Sequence, residues 1–333
     1  MNKFFQTQED EEDDRKRISH SQMKQWRTCP RKWQLKYRDG HRPPDESIHL
    51  VFGTSIHEAL QEYLQKMYRG TVQEANKLDL KSNFTSLLKE EFDKRKETFN
   101  EDYPDEKFPV TKEEMVEFAK DGKAIIEHFR RNRSKYFKKQ ETELVGIEEK
   151  IEREVANGVD WIGYLDVVLR DRKTGKYKII DLKTSTDGWD KWDKREKKKT
   201  DQLVAYKKFY AEQLDIDPDM IEIEYLILKR KCGKYDSRFQ QFSPSDGTKS
   251  LNRVSDKINE FVSDCFDEDG NYREKEFDAE PDKWTCCFCN FSQDFGQNEY
   301  KICDQNGKKY LDYPSSMKPY IPDKFVGPQP EQN

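Results

Sequence analysis

Two apolar stretches joined by a short turn constrain this chain more than any other feature. Residues 160–170 read DWIGYLDVVLR and residues 176–183 read KYKIIDLK, both rich in the β-branched and aromatic residues of a strand. Between them Arg172, Lys173, Thr174 and Gly175 form a hairpin-length loop, with Gly175 free to take the return conformation. If Asp171 pairs with Lys176, counting back along the hairpin sets Asp166 opposite Asp181. Directly opposed residues carry Cβ atoms roughly 4.5–5.5 Å apart. Side chains alternate faces, so Asp181 and Lys183 share a side and Leu182 points away. Two carboxylates so placed repel, and a divalent cation between them resolves the conflict.

A second signal lies upstream. Residues 52–67 have helical periodicity, with Phe52, Ile56, Tyr63 and Met67 on one stripe. His57 shares the neighbouring stripe with Gly53, Leu60 and Leu64, so it faces inward or borders a cleft. Such a histidine is a core residue or a third ligand beside two carboxylates, and Gly53, one turn earlier, would admit a close approach. A third signal follows the hairpin, where Gln202 and Tyr206 stand one turn apart on a helix. That pair suits a phosphate or a base, and an ordinary amphipathic helix is the plainer reading.

Taken in order, Gly53 to His57, Gly163 to Asp166, the triplet Asp181, Leu182, Lys183, and Gln202 to Tyr206 resemble the motifs of the PD-(D/E)XK nuclease superfamily, RecB-like branch. The resemblance implies an α/β fold, a restriction-endonuclease-like central mixed sheet flanked by helices. A helical insertion about 70–140 would precede the nuclease core about 143–265, within one domain spanning 18–310. It further implies that His57, Asp166, Asp181 and the Leu182 backbone carbonyl hold Mg²⁺ or Mn²⁺. Lys183 would act on the attacking water or the transition state, Glu58 would support the site, and Gln202 and Tyr206 would position DNA.

The resemblance reaches both chain ends. Cys29, followed by Pro30 and a basic, aromatic stretch, is similar to the opening segment of family members with an iron–sulfur cluster, among them the AddB nuclease domain and CRISPR-associated adaptation nucleases. In those, one early cysteine joins three late ones, here Cys286, Cys289 and Cys303, around a [4Fe–4S] cluster. The spacing departs from that pattern, since Cys289 and Cys303 lie far apart and Cys287 is surplus. A structural zinc ion with four thiolates and reduced thiols under a loop with no metal are the alternatives.

Composition bounds what remains. Only 33% of residues are hydrophobic and 38% are charged, so a compact core carries an ionic surface. Without an apolar run of membrane-spanning length or a secretory leader, a soluble, intracellular protein is expected. The net charge of −5 is concentrated in the acidic stretch 9–14, and without those six acids the balance is 61 basic to 60 acidic residues. Residues 1–17 read as a disordered acidic tail, 266–303 as a loop-rich cysteine region and 311–333 as an extended tail. Two basic patches interleaved with aromatic residues, 129–139 and 189–199, suit single-stranded nucleic acid; a solvated helix or loop is the other reading.

The function implied is a DNA exonuclease of repair, recombination or viral DNA metabolism, acting on single strands or free ends. Alternatives are a nuclease subunit serving a separate helicase or integrase, and a non-catalytic nucleic-acid-binding protein. Thr174, Gly175 and Lys176 are followed by Tyr177 rather than the Ser or Thr of a nucleotide-binding loop, so any ATP-driven motor would be another chain. Helices are expected over 18–38, 52–69, 75–98, 111–138, 196–214 and 248–265. Strands are expected over 143–156, 160–170, 176–183 and 220–230.

Overall fold

In a computed structural model, which describes residues 15–233, 235–280, 285–286, 289–292 and 301–303, the apolar stretches form the centre of one six-stranded mixed sheet. The elements run β1 (Lys16–Ile18), α1 (His20–Thr28), α2 (Pro30–Trp33), α3 (Ile48–Arg69), α4 (Val72–Asn76), α5 (Leu80–Asp102) and α6 (Lys112–Tyr136). They continue with β2 (Thr142–Ala156), β3 (Val159–Asp171), β4 (Tyr177–Ser185), α7 (Lys197–Leu214), β5 (Ile221–Lys229), β6 (Phe239–Phe242) and α8 (Thr248–Cys265). The strand order is β1-β3-β4-β5-β6, with β2 paired to β3 off that path. The mixed α/β architecture with flanking helices is the one expected.

Helices cover both faces of the sheet because its inner strands are apolar on both. In β5, Ile223, Tyr225 and Ile227 join a core with Trp33, Leu203, Phe209 and Phe261 from α2, α7 and α8. Leu226 and Leu228 of the same strand join the opposite core with Phe52, Leu60, Phe84 and Phe129 from α3, α5 and α6. Burial on both faces explains why these strands read as near-continuous hydrophobic runs. A capping box of Thr111 and Glu114 opens α6, each side chain bonding the other's backbone N–H.

The β3–β4 turn sets the register that the site depends on. Asp171 accepts hydrogen bonds from the backbone N–H groups of Lys173 and Thr174, and Gly175 takes φ +73°. The Asp171 N–H then donates to the Lys176 carbonyl at 2.8 Å. Arg170 pairs with Tyr177 and Val167 with Ile180, as the turn chemistry requires.

Several boundaries differ from the sequence reading for definite reasons. The stretch expected as one helix over 18–38 breaks at Cys29, where the backbone is extended (φ −161°, ψ 105°) ahead of Pro30, and ends in a π-helical turn, Gln34–Arg38. Residues 16 and 17, assigned to the tail, form β1 with Ile18, and Arg15 grips Asp160 through two short hydrogen bonds. The helix expected over 75–98 is two, α4 and α5, separated at the Asp79 cap. The four residues of β6 were too few to show a period. The acidic stretch 9–14, Cys287 and the 311–333 tail lie outside the described residues. No helix among the described residues is long and apolar enough to cross a membrane.

Three helices are fastened by a buried ion triad. Asp201 of α7, fully buried, takes Arg27 of α1 on one oxygen and Arg253 of α8 on the other, each at 2.8 Å. Removing the carboxylate strands two arginines that are themselves largely covered, so Asp201→Ala is expected to cost about 3–5 kcal/mol. Glu141→Ala, which breaks an exposed pair with Lys138, is expected to cost under about 1 kcal/mol. Urea unfolding of both variants checks the contrast.

Candidate active site

The site occupies a gap in the sheet. Along one edge of β3, β1 pairs with Val159 to Trp161 and β4 pairs with Val167 to Arg170, leaving residues 162–166 without a strand partner on that side. Asp166 stands at the end of this gap. Carrying the β3–β4 register one rung further sets it opposite Asp181, just beyond the last paired rung. The Leu182 N–H donates to Asp166 Oδ2 at 2.6 Å, so a carboxylate takes the backbone proton at the fork between the strands. On Asp181, Oδ2 lies 2.9 Å from Lys183 Nζ as an ion pair, yet it is buried and accepts no hydrogen bond of sound geometry.

From α3, His57 brings Nδ1 to 3.7 Å from Asp166 Oδ2. From α7, Gln202 Nε2 donates to the Tyr206 hydroxyl at 3.0 Å. Gly163 has a definite role here: a Cβ on it would lie 2.6 Å from the Tyr206 ring, so the glycine seats the tyrosine across the gap. Gly53 has no such role, since a Cβ there would meet only Thr184 Oγ1 at an ordinary 3.8 Å. Gly53 instead lines the larger cavity beside His57.

One acid went unnoticed in the sequence. In β2, Ile147 pairs with Val167 and Glu149 with Leu165, so Glu148 falls beside Asp166. Its φ of +50° is rare outside glycine and strained. Gln61 of α3 holds it there, donating to Glu148 Oε1 at 2.5 Å and to the Asp166 backbone carbonyl at 3.2 Å. Glu148, Asp166 and Asp181 thus sit on one row across β2, β3 and β4. Gly146, inside a strand and next to a register shift, was the signal that this strand is irregular.

The row is electrostatically tense. Burial, reinforced by the Asp181 charge, pushes the Asp166 carboxyl well above its usual range. Burial also raises Asp181 despite the opposing pull of Lys183. Glu148 is raised chiefly by burial, with Gln61 opposing and Asp181 adding to the rise. Burial would lower the Lys183 pKa, but Asp181 and Asp166 outweigh it and hold the amine above the ordinary lysine value. His57 is pushed down to about 3 by burial and by Lys183, so its ring is neutral. Tyr206 is pushed up to about 12 by burial and then by Asp181, so its hydroxyl keeps its proton.

Cavities open on both sides of the row and share Glu148, Asp166 and Lys183. The larger, about 700 Å³, runs between α3 and α5 and includes His57, Glu58 and Glu91. The smaller, about 340 Å³, is lined by Ser19 and Gln22 of the α1 start, Asp181, Gln202 and Tyr206. Of the basic patches, the first is largely spent on packing: Arg130 donates to the Asn76 carbonyl, Arg133 to the Tyr63 hydroxyl and Lys139 to the Met67 carbonyl. The second lies at the α7 start, where Lys199 pairs with Asp193 and covers the Trp189 ring at 4.3 Å.

Far from the row, Cys29, Cys286, Cys289 and Cys303 are all buried and line one enclosed cavity of about 10 Å³. Among the described residues, no group of three or more His, Cys, Asp or Glu side chains stands close enough to hold a metal as placed. In the active site the donor chemistry nevertheless fits a hard divalent ion: buried carboxylates, one of whose oxygens has only the Lys183 ammonium beside it, and a neutral imidazole. Like charge on the row has a measurable consequence. Asp166→Asn keeps an acceptor for the Leu182 N–H and removes the repulsion with Asp181. Relief of that repulsion is expected to raise the melting temperature of the variant in EDTA by roughly 2 °C over the parent. Adding Mg²⁺ is expected to raise the parent's melting temperature and not the variant's; thermal melts read both.

No protein with a curated description matches the chain. A solved structure described as "Crystal structure of SSO0001" overlaps 63% of this chain and 80% of its own at 16% identity, with a TM-score of 0.28. A family model for the PD-(D/E)XK nuclease superfamily matches residues 17–293, which takes in every residue of the row and the helices that frame it, and the chain belongs to that superfamily.

Proposed function

We propose that this chain is a DNA exonuclease that hydrolyses phosphodiester bonds at the Glu148, Asp166 and Asp181 row, on single strands or free ends. The observation that carries the reading is the convergence of those acids with Lys183 in a gap open from two sides. Superfamily members typically use Mg²⁺ or Mn²⁺. Asp166, Asp181, His57 and the Leu182 carbonyl would hold the ion, which supplies a water of lowered pKa and neutralises charge on the phosphate.

The chain's own groups have separable tasks. Lys183, kept protonated by its two carboxylate neighbours, stabilises charge that builds on the phosphate oxygens. Glu148 faces the same space from β2 and serves to orient the attacking water, with Gln61 fixing its carboxylate. Gln202 and the protonated Tyr206 hydroxyl offer hydrogen-bond donors to the DNA backbone on the smaller-cavity side. Service within a helicase or integrase complex is compatible with the same chemistry.

Mg²⁺-dependent release of nucleotides from labelled linear DNA, with closed circles resistant, is the expected outcome for the isolated protein. Asp166→Ala is expected to abolish cleavage, and Lys183→Ala to reduce it about 10²–10³-fold. Glu148→Gln, which keeps shape and loses charge, is expected to fall roughly 10²-fold. Full activity in the purified Lys183→Ala protein would overturn the assignment, and cleavage of circles would replace exonuclease with endonuclease.

We further propose that Cys29, Cys286, Cys289 and Cys303 hold a metal that staples the cysteine region to α1 and α2. Four buried sulfur donors around one cavity support this. The donor set suits zinc or a [4Fe–4S] cluster. Zinc needs only the four thiolates as a tetrahedron, which makes it the simpler occupant. Elemental analysis of anaerobically purified protein is expected to find one zinc per chain. Iron with a brown visible absorption would reverse that choice, and absence of both metals would remove the staple.

A further inference from the structure

The two cavities that meet at the row differ in charge. On the larger side stand Glu46, Glu58 and Glu91, together with Lys94 and Arg95. Arg95 is already spent, paired with Glu91 at 2.6 Å and Glu46 at 3.1 Å. Glu58 has its pKa raised by burial and then by Glu91 and Glu90, the mark of a crowded acidic wall. A strand of DNA entering there would bring phosphates against carboxylates.

The smaller side is built differently. Its lining sets Arg17 and Lys183 beside the row's own Glu148, Asp166 and Asp181, with Ser19, Gln22 and Gln202 as neutral polar groups and no acid outside the row. Helical spacing places Lys24 one turn beyond His20 on α1, and Lys198 one turn before Gln202 on α7. The two helices are locked together by Arg27 and Asp201. Among the described residues neither the Lys24 nor the Lys198 ammonium is within ion-pair distance of a carboxylate. Glu196 attracts Lys24 from further off, while Lys183, Lys198 and Lys199 repel it. The first turn of α7, Lys197 to Lys199, carries three cations and no acid, the reverse of what a helix N-terminus favours. Behind these groups His20 is 94% buried and its Nε2 has no hydrogen-bond partner. Of these cations Lys199 has Asp193 as its partner and Glu196 caps the helix, while among the described residues Lys24 and Lys198 are left without a carboxylate in contact.

We infer that the uncut part of a bound DNA strand runs along α1 and the first turn of α7, with Lys24 and Lys198 each holding a backbone phosphate. The α3–α5 cavity carries no strand phosphates. This path rests on the nuclease reading for its substrate and adds to it the side from which the polyanion approaches. Burial of its surroundings holds the Lys24 pKa down, with Glu196 opposing and Lys199, Lys183 and Lys198 adding to the fall, so a phosphate relieves lysine–lysine repulsion as well as adding attraction. Each contact to single-stranded DNA contributes about 0.7 to the slope of log affinity against log salt.

The test is fluorescence anisotropy of a labelled single-stranded oligonucleotide with the full chain in EDTA, where no cleavage occurs, over a series of NaCl concentrations. Lys24→Gln combined with Lys198→Gln is expected to lower the salt slope by about 1.4 and to weaken binding about tenfold. Lys24→Gln alone, an exposed change, is expected to lower the slope by about half as much. Lys94→Gln, on the acidic side, is expected to leave slope and affinity unchanged. A slope that drops with Lys94→Gln but not with the α1 and α7 changes sinks the path, and so does a parent chain without salt-dependent binding. An intact slope pattern in a chain that degrades no DNA would instead sink the nuclease reading and leave the strand path standing.

Discussion

One missing stretch of strand pairing organises this molecule. The edge of β3 is occupied at one end by β1 and at the other by β4, and the residues between have no strand partner there. In a closed sheet those backbone groups would be consumed by a ladder. Here the opening admits side chains from both layers of helices: His57 from α3 on one side, Gln202 and Tyr206 from α7 on the other. Through it the acids of the row face a cavity on each side, one bordered by α3 and the other by α7.

The gap also explains how the acids tolerate one another. Three carboxylates lie in one row with a single ammonium beside them, and all three are raised in pKa because burial disfavours their charge. Such an arrangement opposes folding and persists because the framework over-determines it. The turn at Asp171 and Gly175 fixes Asp166 against Asp181, Gln61 fixes Glu148, and the Asp201 triad fixes α7 against α1 and α8. Stability spent at the site is characteristic of catalytic centres, where a bound ion or substrate supplies the missing charge.

What the sequence made legible follows the range of the interactions. The Asp166–Asp181 register was readable because it depends on one local turn, whose Asp and Gly chemistry sets every later rung. His57 was readable as inward-facing because Phe52, Ile56, Tyr63 and Met67 define the buried stripe beside it. Glu148 was not, because its place depends on a bulged strand whose partner lies across an irregular pairing, and its left-handed φ breaks the alternation that a period-two reading relies on. β1 was hidden for a related reason. Three residues give no period, and their strand character comes only from contact with β3. The break at Pro30 was written in the sequence, since the residue before a proline resists the helical conformation, and a basic, aromatic run on either side masked it.

α1 joins the two ends of this design. Its start carries Ser19 and Gln22 to the smaller cavity, and its last turn is followed by Cys29, which lines the cysteine cavity. Between them Arg27 reaches Asp201, the residue next to Gln202. A nine-residue helix so restrained has little freedom to slide or rotate, because either motion breaks the buried ion triad or withdraws Cys29 from its partners. The cysteine region, remote from the acids, therefore bears on the mouth of the gap through one short rigid element. The same element presents Lys24 to solvent, so the geometry of the acids and the geometry of the surrounding positive surface are set together.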